Sequence, residues 1–164
     1  MTRYEKLLIK AKKEGVEVLE IDLGTNKKCG KYISKGKESI IIINSRNSSK
    51  EKLEILAEEL GHHIKNYSDI TDQSIIENKK QELIARRHGY KFILNPLDIV
   101  HAIKCGFSSI YELADFYELT VEEMINIMED FKAQYGIGKR FNEYFITFEP
   151  AFAFVKMFDG EIVS

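Results

Sequence analysis

The stretch that decides the fold is Leu56-Ala57-Glu58-Glu59-Leu60-Gly61-His62-His63. Upstream, Ser48 and Glu51 have the spacing of a capping box, which marks a helix start. Apolar residues then recur at helical spacing and predict one buried face: Leu53, Leu56, Ala57, Leu60 and Ile64. At about 100° per residue, Glu58 and His62 fall roughly opposite that face, and Glu59 lies on the flank of the side that carries them. We therefore predict a helix with a buried stripe and a second stripe of side chains that can bind metal.

The second stripe is close to the His-Glu-x-x-His signature of zinc peptidases. In such sites two histidines four residues apart hold the ion, and the glutamate beside the first histidine is the general base. Here Glu58 stands in the place of the first histidine, Glu59 in that of the base and His62 in that of the second histidine. Glu and His at this spacing also occur on solvated helix faces, so a plain amphipathic helix is the alternative.

The segments before this helix predict a small sheet. Residues 3–14 have helical periodicity, whereas 16–23, 31–34 and 39–43 are rich in β-branched and aliphatic residues and predict strands. Lys35-Gly36-Lys37 has the composition of a turn between the last two strands. The run Ile40–Ile43 indicates a strand covered on both faces.

Helices dominate the rest of the chain. A polar link at 68–72 precedes a helix over about 74–94, which Asn95-Pro96 ends, and a further helix runs from 97 to about 104. Ser109 with Glu112 and Thr120 with Glu123 mark two more helix starts. The aromatic segment 144–158 contains Pro150 and predicts an edge strand or a packed tail.

Composition excludes several classes of function. The 164 residues are 44% hydrophobic and 30% charged, with a net charge of −2, which gives no general attraction to nucleic acid or anionic membrane. No apolar run approaches the roughly 20 residues that span a bilayer. Two isolated cysteines favour reduced thiols, so we expect a cytoplasmic protein. Residues 109–132 superficially resemble a helix-turn-helix, but they hold seven acids and one lysine. We interpret them as packing helices or a docking surface for a protein, with no direct contact to nucleic acid.

Together with Gln81–Arg87, the stretch Leu56–His63 resembles the ImmA/IrrE family of zinc metallopeptidases. The resemblance covers roughly 16–96 and suits the helices that follow. It implies an α+β fold: a zincin-like metallopeptidase core at 1–96, with a small N-terminal β-sheet packed on helices. Residues 97–164 would form a helical C-terminal region with a terminal strand or tail, packed on the core as one domain.

The resemblance also implies roles for individual residues. Glu59 matches the general base, His62 the second histidine ligand, and Glu82, three residues before Ala85, the third ligand. Glu58 stands where the family usually has its first histidine ligand, so the implied metal ligands are Glu58, His62 and Glu82. The chain departs from the family at Arg86 and His88, where relatives carry Asn and an aromatic residue.

The implied function is that of a metal-dependent endopeptidase. Its expected partner is a substrate protein, a repressor-type transcription regulator of a phage or mobile element. The alternative is a metal-free pseudopeptidase that binds and sequesters a regulator without cutting it.

Glu58 has chemical consequences for the expected cofactor. Carboxylate oxygen is an acceptable zinc ligand. Two carboxylates would, however, neutralise the charge of Zn²⁺ and leave the pKa of a bound water higher than in a two-histidine site. More oxygen also favours harder ions, so Zn²⁺, Mn²⁺ or another divalent ion stays open. We hypothesise that zinc is held more weakly than in relatives whose first ligand is histidine.

Three further polar residues lie within the segments Leu56–His63 and Gln81–Arg87. His63 diverges from His62 by about 100°, so we expect a partly buried, hydrogen-bonded histidine rather than a ligand. Arg86 and Arg87 could orient the carboxylates or stabilise an oxyanion, or simply be solvated. The oligomeric state stays open.

Overall fold

The computed structural model describes residues 1–66 and 75–158. The chain divides into two compact units, Met1–Ile93 and Leu94–Ser164. The fold is mixed α+β with a small N-terminal sheet, as the sequence predicts. The predicted link at 68–72 lies outside the described residues, and the packing of the two regions as one domain stays a prediction.

Among its described residues, the first unit contains three helices and one three-stranded sheet. Its elements are α1 (Arg3–Lys13), β1 (Val16–Ile21), β2 (Gly30–Lys35), β3 (Glu38–Asn44), α2 (Ser49–Asn66) and α3 (Ile75–Lys91). The strand order is β1-β3-β2, with β1 parallel and β2 antiparallel to β3, so β2 is an edge strand. Helix α2 packs against α1, α3, β2 and β3.

The central strand β3 is less covered than its isoleucine run suggests. Ile41 and Ile43 are fully buried, while Ile40 and Ile42 are only half-buried. Residues alternate between the two faces of a strand. The prediction that both faces of the strand are covered is therefore wrong: one face is buried and the other is partly exposed.

Two buried asparagines hold the loop between β1 and β2. The Asn44 side-chain amide donates to the carbonyls of Thr25 (2.8 Å) and Lys27 (2.9 Å), and its oxygen accepts the Leu23 N–H (3.3 Å). Asn47 similarly donates to the Lys27 carbonyl (3.0 Å) and accepts the Cys29 N–H (3.2 Å). Buried polar groups need such partners, so these amides fix the chain where it enters β2 and α2.

The second unit contains helices and a second sheet. Its elements are α4 (Pro96–Lys104), α5 (Ile110–Phe116), α6 (Val121–Tyr135), β4 (Gly138–Phe141), β5 (Tyr144–Thr147) and β6 (Ala153–Lys156). The last three strands form an antiparallel sheet in the order β4-β5-β6. A single edge strand or tail was predicted here, and that prediction is wrong, because Pro150 lies in the link between two strands instead of interrupting one.

Helices α5 and α6 begin at their predicted caps. The Ser109 hydroxyl accepts the Glu112 N–H (3.1 Å), and the Thr120 hydroxyl accepts the Glu123 N–H (3.1 Å). Two acidic residues of this region, Glu123 and Asp130, are buried, which agrees with a role in packing. Among the described residues, no helix is long and apolar enough to cross a membrane.

Candidate metal and catalytic site

Helix α2 begins at the predicted cap and buries most of the predicted stripe. The Ser48 hydroxyl accepts the Glu51 N–H (3.2 Å), and the Ser48 N–H donates to the Glu51 carboxylate (2.9 Å), which completes the capping box. Four of the five stripe residues are buried: Leu53, Leu56, Ala57 and Leu60. Ile64 is 38% exposed, so its predicted burial is wrong. Near the end of α2, Gly61 and His63 are buried instead.

Small residues let α2 and α3 approach at the level of their backbones. A methyl group at Gly61 would lie 2.1 Å from the carbonyl oxygen of Ala85, and one at Gly89 would lie 2.8 Å from the carbonyl oxygen of Ala57. Both separations are shorter than any ordinary contact, so neither position accepts a larger residue unless the helices separate. This crossing sets the height of each α3 side chain relative to α2.

The crossing places Glu82 next to His62. The Nε2 atom of His62 lies 3.5 Å from Oε2 of Glu82, which belongs to the turn of α3 before Ala85. Two ligands bound to one zinc ion at 2.0–2.2 Å in tetrahedral geometry are about 3.3–3.6 Å apart. The separation of these two side chains therefore matches that of two ligands of one ion.

Glu59 lies in the same cluster and is the most perturbed carboxyl of the site. Burial raises its pKa, and the neighbouring charges of Glu58 and Glu82 raise it further, to about 7. A hydrogen bond from the backbone N–H of Tyr32, on edge strand β2, acts in the opposite direction. A carboxyl with a pKa near neutral can both hold and accept a proton under ordinary conditions.

Glu58 is exposed and lies one turn before His62 on α2. In the described part of the chain, no three His, Cys, Asp or Glu side chains are arranged to hold a metal ion. Of the three predicted ligands, the structure thus brings His62 and Glu82 together and leaves Glu58 apart from the pair. The residue types nevertheless suit a divalent cation, because the charges of Glu58 and Glu82 raise the pKa of Glu59 and a nearby cation would offset them.

His63 is a structural residue, as the sequence predicts. It is buried, and its Nδ1 lies 3.0 Å from the hydroxyl of Tyr32, with the two rings in an edge-on arrangement. Burial lowers the pKa of His63, while the charge of Glu14 opposes that effect. Because His63 and the Tyr32 backbone hold β2 against α2, the edge strand is fixed beside Glu59.

Several contributors to the site are not evident from the motif. Tyr32 lies in a strand that the sequence predicts, yet its contacts with Glu59 and His63 depend on how the sheet packs. Gly61, Ala85 and Gly89 carry the one usable signal, since small residues inside two successive helices indicate close helix packing. Arg86 is exposed, whereas Arg87 is half-buried, so the two arginines have different surroundings.

Comparison with known proteins yields a family match. The model of the family described as IrrE N-terminal-like domain (Peptidase_M78) matches residues 11–140, which is more than half of the chain. No curated protein and no solved structure gives a significant match.

Proposed function

The chain belongs to the IrrE N-terminal-like domain family, a metallopeptidase-like domain, and on that premise we propose that it is a metal-dependent endopeptidase. The observation that carries the proposal is the contact between His62 and Glu82 beside Glu59, a carboxyl with a pKa near 7. Imidazole, carboxylate and a poised base are the side chains that hydrolysis of a peptide bond at a divalent ion requires.

Glu58, His62 and Glu82 would hold the ion. The exposed Glu58 lies on the same side of α2 as His62, so rotation about its own side-chain bonds would bring its carboxylate to the pair. A bound Zn²⁺ or Mn²⁺ would supply Lewis acidity, which polarises a peptide carbonyl and makes water easier to deprotonate.

Glu59 would move the proton. In the ionised form it accepts a proton as water adds to the carbonyl carbon, and it returns that proton to the amine nitrogen as the carbon–nitrogen bond breaks. The Tyr32 N–H holds the carboxylate through this cycle, since it donates to Glu59. Edge strand β2 pairs only with β3 among the described residues, so an extended substrate segment added along its outer edge would lie beside Glu59.

The proposed substrate is a repressor-type transcription regulator of a phage or mobile element, which would place the reaction in the cytoplasm. The resemblance of Leu56–His63 and Gln81–Arg87 to ImmA/IrrE proteins supports this class. The test is incubation of the protein with the repressor encoded nearest to it, with Zn²⁺, with Mn²⁺ and with chelator. Ion-dependent fragments that disappear with Glu59→Gln, but not with the exposed control Glu17→Gln, are the expected result.

A second candidate rests on Glu58. Because a carboxylate replaces an imidazole and lies apart from the His62–Glu82 pair, the fold could serve as a metal-free pseudopeptidase that sequesters a regulator. In the same incubation, a stable complex without fragments under every metal condition would favour this binder over the enzyme.

A further inference from the structure

A groove runs along α3 on the side of Glu82. Its volume is about 390 Å³, and it is lined by Asn78, Lys79, Glu82, Leu83 and Arg86. These residues are three to four positions apart, or adjacent to one that is, so they occupy one face of the helix. The groove therefore shares Glu82 with the proposed metal site and lies directly beside it.

The described residues that line the groove carry a net positive charge, although they include Glu82. Lys79 lies one turn before Glu82 and Arg86 one turn after it, and two cations against one carboxylate leave a formal charge of +1. Both cations are exposed, and neither has an ion pair within the described residues. The Glu82 carboxylate contacts His62 on α2 rather than either cation.

We propose that this groove is a subsite for an acidic side chain of the substrate, close to the bond that is cut. The proposal rests on the proposed peptidase function and adds a specificity to it. Arg86 would receive the carboxylate as a planar two-pronged donor, with Lys79 as a second charge. Leu83 is 39% exposed in the groove and would contact the methylene groups of the same side chain.

The charges around the groove favour a single carboxylate over a polyanion. A phosphate backbone repeats its negative charge every few ångströms and would meet Glu58, Glu59 and Glu82 as well as the two cations. An acidic residue in an extended peptide presents one charge between apolar or neutral neighbours. The peptide is therefore the better match for two cations that lie next to a carboxylate cluster.

The test uses binding, so that it does not depend on cleavage. A display library of random decapeptides is selected on the full-length chain carrying Glu59→Gln, and again on the same chain with Lys79→Glu and Arg86→Glu added. We expect Asp or Glu to be enriched at one position in the first selection and not in the second. A synthetic peptide from the first selection should lose affinity on the order of tenfold with the charge reversals, because exposed ion pairs contribute little individually.

Lys37→Glu with Lys80→Glu is the matched control, since both lysines are exposed and are not among the described residues that line the groove. These two substitutions change the net charge by the same amount as Lys79→Glu with Arg86→Glu. It should keep the acidic preference. If the reversals unfold the chain, Lys79→Gln with Arg86→Gln replaces them. The proposal is overturned if no peptide or no acidic residue is selected, if the preference survives the groove variants, or if the control loses it equally. Acid-selective binding without ion-dependent cleavage would uphold the groove and refute the peptidase.

Discussion

The raised pKa of Glu59 predicts a pH-dependent gain of stability for Glu59→Gln in the metal-free protein. The pKa of this carboxyl is about 7 in the folded chain, against 4.5 for an unperturbed glutamate. Below pH 4.5 the side chain is protonated in both states, so its charge costs the fold nothing. Between pH 4.5 and 7 the unfolded chain releases the proton while the folded chain retains it, and the folded state loses relative stability as the pH rises.

The magnitude follows from the difference of about 2.5 between the two pKa values. At 1.36 kcal/mol for each pKa unit, full ionisation costs the fold at most about 3 kcal/mol above pH 7. Glu59 is only partly buried, and surrounding water reduces the penalty, so we expect roughly 1–3 kcal/mol. Glutamine keeps the carbonyl oxygen that accepts the Tyr32 N–H and carries no charge, so it removes the penalty and retains the hydrogen bond.

Urea unfolding in the presence of chelator, at intervals between pH 4.5 and 8.5, measures the effect. The free energy of unfolding of Glu59→Gln should exceed that of the unsubstituted chain by an amount that grows as the pH rises towards 8. Glu17→Gln, an exposed glutamate outside the cluster, should show no such growth. Added divalent ion should shrink the difference, because a nearby cation favours the ionised carboxylate. A constant difference across the range, or one that grows as the pH falls, would refute the reasoning.

Three further predictions concern the crossing, the first ligand and the loop. Gly61→Ala should lower the free energy of unfolding by about 1–3 kcal/mol and weaken metal binding, because the added methyl group pushes α2 away from α3. Gly→Ala normally stabilises a helix, so a gain in stability would contradict the close approach. Glu58→His should raise the zinc retained after purification without added metal, and equal, stoichiometric zinc in both proteins on elemental analysis would refute the weaker-retention hypothesis. Asn44→Ala should cost about 2–4 kcal/mol in urea unfolding, since it removes the hydrogen bonds between a buried side chain and the loop backbone, whereas the exposed Asn26→Ala should cost little; equal losses would count against this account of the loop.

Local features of the fold could be predicted from the sequence, because their causes are local. The capping box at Ser48 and Glu51 and the buried stripe of α2 depend on residues within a few positions of each other. The turn at Gly36, with φ of 62°, likewise follows from the residue itself, since glycine adopts that conformation without strain. Such signals predicted the N-terminal sheet and the starts of α2, α5 and α6.

The C-terminal sheet was missed because its strands are short and carry no clear alternation. β4 is Gly138–Phe141, four residues that include two cations, and the sequence shows no apolar run there. Asn142 has a positive φ of 54° and forms the turn to β5, although an isolated asparagine is a weak turn signal. Pro150 then looked like a break within one strand, when it lies between β5 and β6.

The site could be predicted only as a set of residues. That His62 meets Glu82 depends on the crossing of α2 and α3, which Gly61, Ala85 and Gly89 permit through backbone contact. The sequence pattern of one helix does not show at which residues it crosses the next helix. The hydrogen bond from the Tyr32 backbone to Glu59 could not be predicted for the same reason, since it joins a strand and a helix that only tertiary packing brings together.

Anomalous diffraction at the zinc edge, from crystals of the full chain grown with Zn²⁺, tests the central claim most directly. The account predicts one ion about 2.0–2.2 Å from Nε2 of His62 and from carboxylate oxygens of Glu58 and Glu82, with the Glu59 carboxylate beside it but not bound. A zinc ion at a different set of side chains, or a His62–Glu82 pair without an ion at saturating Zn²⁺, would contradict it.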